Sequence, residues 1–160
     1  VLLNCKHVAL LGVYERCASR NDQRIFQLLD EIAMEAPSID ILARTFAHIA
    51  DVLAAFAGKG RGLRSGPARN PAWQIALHLL TDAKSRKDGI RQMSIIRDEW
   101  RKKGPDMMIR ASRHYEGGGQ KLILAATSTC QQFISLTKRP WKENVGTWAV
   151  ATAPARLDLS

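Results

Sequence analysis

"SIDILARTFAHIADVLAAFAG", residues 38–58, decides the fold. Its large apolar residues are Ile39, Leu42, Phe46, Ile49, Leu53 and Phe56, spaced 3, 4, 3, 4 and 3. That spacing keeps all six on one stripe of an α-helix, whereas a strand of period two would scatter them over both faces. Ala43, Ala47, Ala50, Ala54 and Ala55 lie beside the stripe, so a second helix can approach closely. Ser38 is a good N-cap, Pro37 is excluded from a helix interior, and Gly58 stands where a C-terminal glycine ends a helix. Such a stripe is either the core of a bundle or a seam between subunits. The expectation is a core helix.

Working outward, the pattern stays helical. Upstream, "LLNCKHVALLGVYERCAS" has apolar residues at 3, 8, 10, 11 and 13. In "DQRIFQLLDEIAMEA", Ile25, Leu28, Leu29 and Ile32 form a stripe, with Asn21 or Asp22 as cap. Downstream, Asn70 and Pro71 make a standard helix start for "PAWQIALHLLTDAKSRKD", in which Trp73, Ala76, Leu77 and Leu80 share one side. Gly89 reads as a break or kink. "IRQMSIIRDEWRKKG" turns Met93, Ile96 and Trp100 inward, with Arg91, Arg101 and Lys102 opposite. After Gly104-Pro105, Asp106 caps a short helix, "MMIRASRHYE", and the glycines 117–119 read as a hinge before a long helix from Gln120 to Arg139. After Pro140, "WKENVGTWAVATAPARLDLS" is too apolar for a solvated tail and too short to fold alone. The fold class expected is all-α: a single-domain bundle of six to seven helices with a basic, glycine-rich loop and an irregular C-terminal arm. Within it, 1–57 is an apolar, faintly acidic packing part, 58–70 the loop, 71–139 a basic helical part, and 140–160 the Trp-containing arm.

Several chemistries find no support. No apolar run approaches the ~20 residues that span a bilayer. The first residues are read as part of the fold, since Glu15-Arg16 occupies the place of a small-residue cleavage site. Cys5, Cys17 and Cys130 are an odd number and are expected to be reduced thiols. The four histidines show no HxxxH spacing, so no metal or cofactor is expected. His114 and Glu116 beside "GGG" invite an acid–base reading, but positions i and i+2 of a helix face different ways. No nucleophile motif or carboxylate cluster is present, and the chain is read as a non-enzyme.

Charge is the informative quantity. The net charge is +9 in 160 residues, and its halves differ in sign. Residues 1–58 hold five Lys and Arg against seven Asp and Glu, whereas residues 59–160 hold nineteen against eight. Lys59, Arg61, Arg64 and Arg69 sit among glycines with no acid between Asp51 and Asp82. Residues 84–121 add Lys84, Arg86, Lys87, Arg91, Arg97, Arg101, Lys102, Lys103, Arg110, Arg113 and Lys121. All of these except Arg97 are the candidate phosphate ligands, because guanidinium and ammonium groups at this density fit a polyanion. Trp100, Tyr115 and Trp141 are candidates either to stack a base or to fill the core. The loop is not a Walker motif, and a helix-turn-helix over 72–103 requires Gly89 as its turn.

Charge without a base-reading motif points to backbone binding of RNA or DNA with little sequence specificity. The function expected is a structural subunit of a nucleoprotein assembly, of nucleocapsid or ribonucleoprotein type, that self-associates through its arm. The alternatives are a secreted cationic protein acting on anionic membrane or glycan surfaces and a scaffold for an acidic protein partner.

Overall fold

The structure, a computed structural model, describes residues 10–58 and 70–131, with the side chains of 129–131 left aside. These residues form six helices and no strand: α1 Leu10–Ser19, α2 Arg24–Met34, α3 Ile39–Ala57, α4 Pro71–Leu79, α5 Arg86–Arg101 and α6 Pro105–Gln131. The all-α bundle expected from sequence is therefore the architecture observed. The basic loop, the C-terminal arm with Trp141, and the Cys5 and Cys130 thiols lie outside the described residues.

α3 is the central element. Its Ser38 hydroxyl accepts a hydrogen bond from the Ile41 amide, and Gly58 closes it at φ 61°. Leu42, Phe46, Ile49 and Leu53 are all buried within this one chain, so the stripe is core. α3 packs most extensively on α6, and also on α1 and α2, while α5 spans α2, α4 and α6. Tyr14 ties α1 to α3 through a 2.9 Å hydrogen bond between its hydroxyl and His48 Nδ1. α4 starts as its sequence dictates, with Asn70 Oδ1 accepting from the amides of Ala72 and Trp73. Trp73, Ala76, Leu77 and Leu80 are buried, as are Met93 and Trp100 of α5.

Three expectations are corrected. Gly89 does not break a helix. It lies inside α5, and a Cβ there would stand 2.9 Å from the Ala76 carbonyl oxygen of α4. The turn between α4 and α5 comes earlier, at residues 80–85, and a helix-turn-helix pivoting on Gly89 is excluded. Nor do glycines 117–119 form a hinge. The short helix after Pro105 and the helix from Gln120 are one continuous α6, and Gly118 sits where α6 meets Phe46 of α3 and Leu77 of α4. Both glycines remove bulk at a helix crossing, and close packing there offsets a propensity cost of about 1 kcal/mol each. In α2 the buried stripe is Phe26, Leu29 and Ala33, and Leu28 and Ile32 remain exposed. The N-cap position of α2 is Gln23, not Asn21 or Asp22, and its side chain makes no capping bond; Asp22 Oδ1, one residue earlier, accepts from the Arg24 amide, while Asn21 takes the left-handed conformation at φ 51°.

Candidate nucleic-acid interface

Helix direction collects one end of the bundle. Phe26 at the start of α2 meets Phe56 at the end of α3, with ring centres 5.1 Å apart. Arg101, the last residue of α5, lies over Phe26, its guanidinium carbon 4.2 Å from the ring centre. Trp73 in the first turn of α4 touches Trp100 of α5 and stacks on His114 of α6 at 4.6 Å. The α1–α2 turn, the end of α3, the start of α4 and the α5–α6 turn thus share this end. Residues 59–69, with their four cations and no acid, join Gly58 and Asn70, both of which belong to it.

The floor of this end is a buried polar network. Arg97 is 1% exposed and forks onto Asp30, with N···O distances of 2.6 and 2.8 Å. Its Nε donates to Asp98 Oδ1 at 3.0 Å, and Arg101 donates to the same oxygen at 2.8 Å. Burial works against the charge on Arg97, yet the two carboxylates outweigh it and hold its pKa above the ordinary arginine value. Burial lifts the Asp30 pKa even with Arg97 across it, and burial likewise lifts that of Tyr115. A pair this deep fixes the arrangement of α2 and α5 more than it adds net stability, because desolvation consumes much of the attraction.

The candidate phosphate ligands separate by what they already hold. Arg86 is half-buried and caps α4, its Nε donating to the Leu80 carbonyl at 3.0 Å. Lys87 pairs with Glu35 at 3.4 Å and Arg91 with Asp88 at 3.1 Å, both at the surface. Arg101, expected on the outer side of α5, is instead turned inward to Asp98 and Phe26, with 11% of its side chain exposed. Arg113 and Lys121 are half-buried along α6. Lys84, Lys102, Lys103 and Arg110 are exposed. Lys84 lies in the α4–α5 turn, at the opposite end from Lys102 and Lys103. Lys59, Arg61, Arg64 and Arg69 lie outside the described residues. The structure therefore brings Arg101, Lys102 and Lys103 to the end where the loop is rooted and leaves Lys84, Lys87 and Arg91 away from it.

Trp100 and Tyr115 fill the core and present no face for a base. His114 is packed against Trp73 and Trp100, and its Nδ1 donates to the Arg110 carbonyl at 2.8 Å. Burial pulls its pKa below the ordinary 6.5.

Sequence reasoning missed the cleft at this end. It measures about 350 Å³ and is lined by Asn21, Gln23, Phe56, Asp98, Arg101, Lys102 and Met108. Its residues come from four separate stretches, and the only local signal was Asn21, a residue type enriched in the left-handed conformation. Among the described residues no helix is long and apolar enough to cross a membrane. Compared with known proteins, the chain matches no family model, no curated protein and no solved structure.

Proposed function

We propose that this chain binds nucleic acid through the phosphate backbone, without catalysis, as a structural subunit of a nucleoprotein assembly. One observation carries the reading: where the charge lies. The described helical residues hold fifteen Lys and Arg against thirteen Asp and Glu, a near balance of +2. The remaining +7 belongs to residues 1–9, 59–69 and 132–160. A helical body close to charge balance, joined in sequence to segments that carry most of the positive excess, favours a polyanionic partner over simple solubility. Solubility needs only a modest net charge, with no separation. Lys102 and Lys103 are exposed at the end of the bundle that holds Gly58 and Asn70, the two residues between which the sequence places Lys59, Arg61, Arg64 and Arg69. Several such copies on one strand reinforce one another through linked binding.

The test is salt dependence. If five or more cations neutralise phosphates, log K for a single strand falls against log salt with a slope of roughly −3.5 or steeper, about −0.7 per phosphate. Replacing Lys59, Arg61, Arg64 and Arg69 by Ser weakens binding equally across sequences and leaves the melting temperature in place. A flat salt response, measured by fluorescence anisotropy, rejects the reading.

A further inference from the structure

We propose that the cleft beside Arg101 is a binding site for one nucleotide, taking the phosphate on Arg101 and Lys102 and the base against Phe56 and Met108. The inference rests on the nucleic-acid reading for the class of ligand, and the geometry supplies the site. Three features of the cleft converge on that chemistry.

The first is its charge. Arg101 and Lys102 are adjacent cations, and among the described residues the single acid that lines the cleft is Asp98. Asp98 Oδ1 already accepts from both Arg97 and Arg101, and Asp30 is forked by Arg97. With Arg97, Arg101 and Lys102 set against Asp30 and Asp98, the cleft keeps one surplus positive charge. The second feature is a donor in need of an acceptor. Arg101 Nε is buried and has no hydrogen-bond partner. The guanidinium is held in place by the Phe26 ring beneath it and by Asp98 beside it. A guanidinium already held in place loses little further freedom when a phosphate pairs with its cleft-lining edge.

The third is the apolar part of the lining. Phe56 and Met108 are half-buried, giving an apolar surface on which a ring can lie. Asn21 and Gln23 stand at the rim, joined by a 3.4 Å hydrogen bond from Gln23 Nε2 to Asn21 Oδ1. Carboxamides both donate and accept, as the edge of a base does. Inorganic phosphate would leave the apolar wall uncovered, and an acidic peptide would leave it without a planar partner. A volume of about 350 Å³ lies at the small end of ligand sites and suits one nucleotide in place of a stack of them.

Adenosine monophosphate is the probe, titrated into the full chain and followed by amide chemical shifts. The expected result is saturable shifts at Asn21, Gln23, Phe56 and Lys102. Adenosine alone and inorganic phosphate each bind at least tenfold more weakly. Lys102→Glu weakens the nucleotide at least tenfold, and Gln23→Ala about threefold. Arg44→Glu makes the same change of charge on α3, about 18 Å along the helix from Phe56, and alters affinity less than twofold. Absence of saturable shifts at the cleft overturns the proposal, and so does inorganic phosphate binding as tightly as the nucleotide. Strand binding is measured in parallel. A strand that binds while the cleft stays silent refutes the cleft alone. Nucleotide at the cleft without strand binding refutes the backbone reading alone.

Discussion

Two adjacent glycines of α6 have opposite roles. At Gly118 a methyl group would stand 3.1 Å from two carbons of the buried Phe46 ring and 3.2 Å from Leu77. Phe46 has no room to yield, being itself edge-on to Tyr115 at 5.3 Å. Gly118→Ala should therefore destabilise by about 1–3 kcal/mol, because overpacking outweighs the helix-propensity gain. At Gly117 nothing lies within 4 Å, and Gly117→Ala should stabilise by about 0.5–1 kcal/mol. Urea unfolding of the two variants checks the pair, and equal signs would mean that the crossing is looser than described. His114 makes a second case at this scale. Its Nδ1 must carry the proton to donate to Arg110, which leaves Nε2 buried and without a partner. Protonating Nε2 puts a charge where nothing accepts it. The folded pKa lies below the unfolded 6.5, so the unfolded chain binds more protons as pH falls through that value. Stability should be fully present above about pH 6.5 and decline below it. Thermal melts between neutral and mildly acidic pH should show that slope, and His114→Gln should flatten it.

The elements were legible wherever local chemistry decides them. Ser38, Gly58, Asn70 and Pro71 act at the backbone within three residues, so the ends of α3 and the start of α4 could be read directly. What α2 buries could not. Ile25, Phe26, Leu28, Leu29, Ile32 and Ala33 spread over nearly half its circumference, and period alone cannot say which part of so wide an arc is buried. Phe26 wins because Phe56, Arg97 and Arg101 meet it from elsewhere in the chain. The glycines of α5 and α6 were misread for the same reason, since a close crossing is a property of two helices. The burial of Arg97 on Asp30 has no local sequence signal, because the two residues are 67 positions apart. The cleft, built from four stretches, has no sequence pattern. α3 offers the sharpest test at this scale. Phe46→Ala should cost about 3–5 kcal/mol, a large part of the ~5–15 kcal/mol that holds a domain together. Because Phe46 is wholly covered within one chain, the melting temperature of the variant should not vary with protein concentration. A concentration-dependent melt would return the stripe to an interface between subunits.

For the whole molecule, most of the net positive charge lies in sequence outside the six described helices. The helical residues are close to neutral as a set, so removing the cations of 59–69 should leave the core energetics alone. The same separation explains why net charge was informative about a partner and silent about the fold.

One consequence follows from α3 closing at Gly58 and α4 starting after Asn70. The largest packing surface, α3 on α6, joins residues from the two sides of that link. Cut between Arg64 and Ser65, the protein becomes two pieces, each with half of a shared core. Neither should melt cooperatively alone, because α3 or α6 would stand uncovered. Mixed, they should recover helical circular dichroism and a single transition whose midpoint rises with concentration. Recovery on mixing would mean that the peptide bond at that position serves as a tether, setting the effective concentration of two mutually recognising halves.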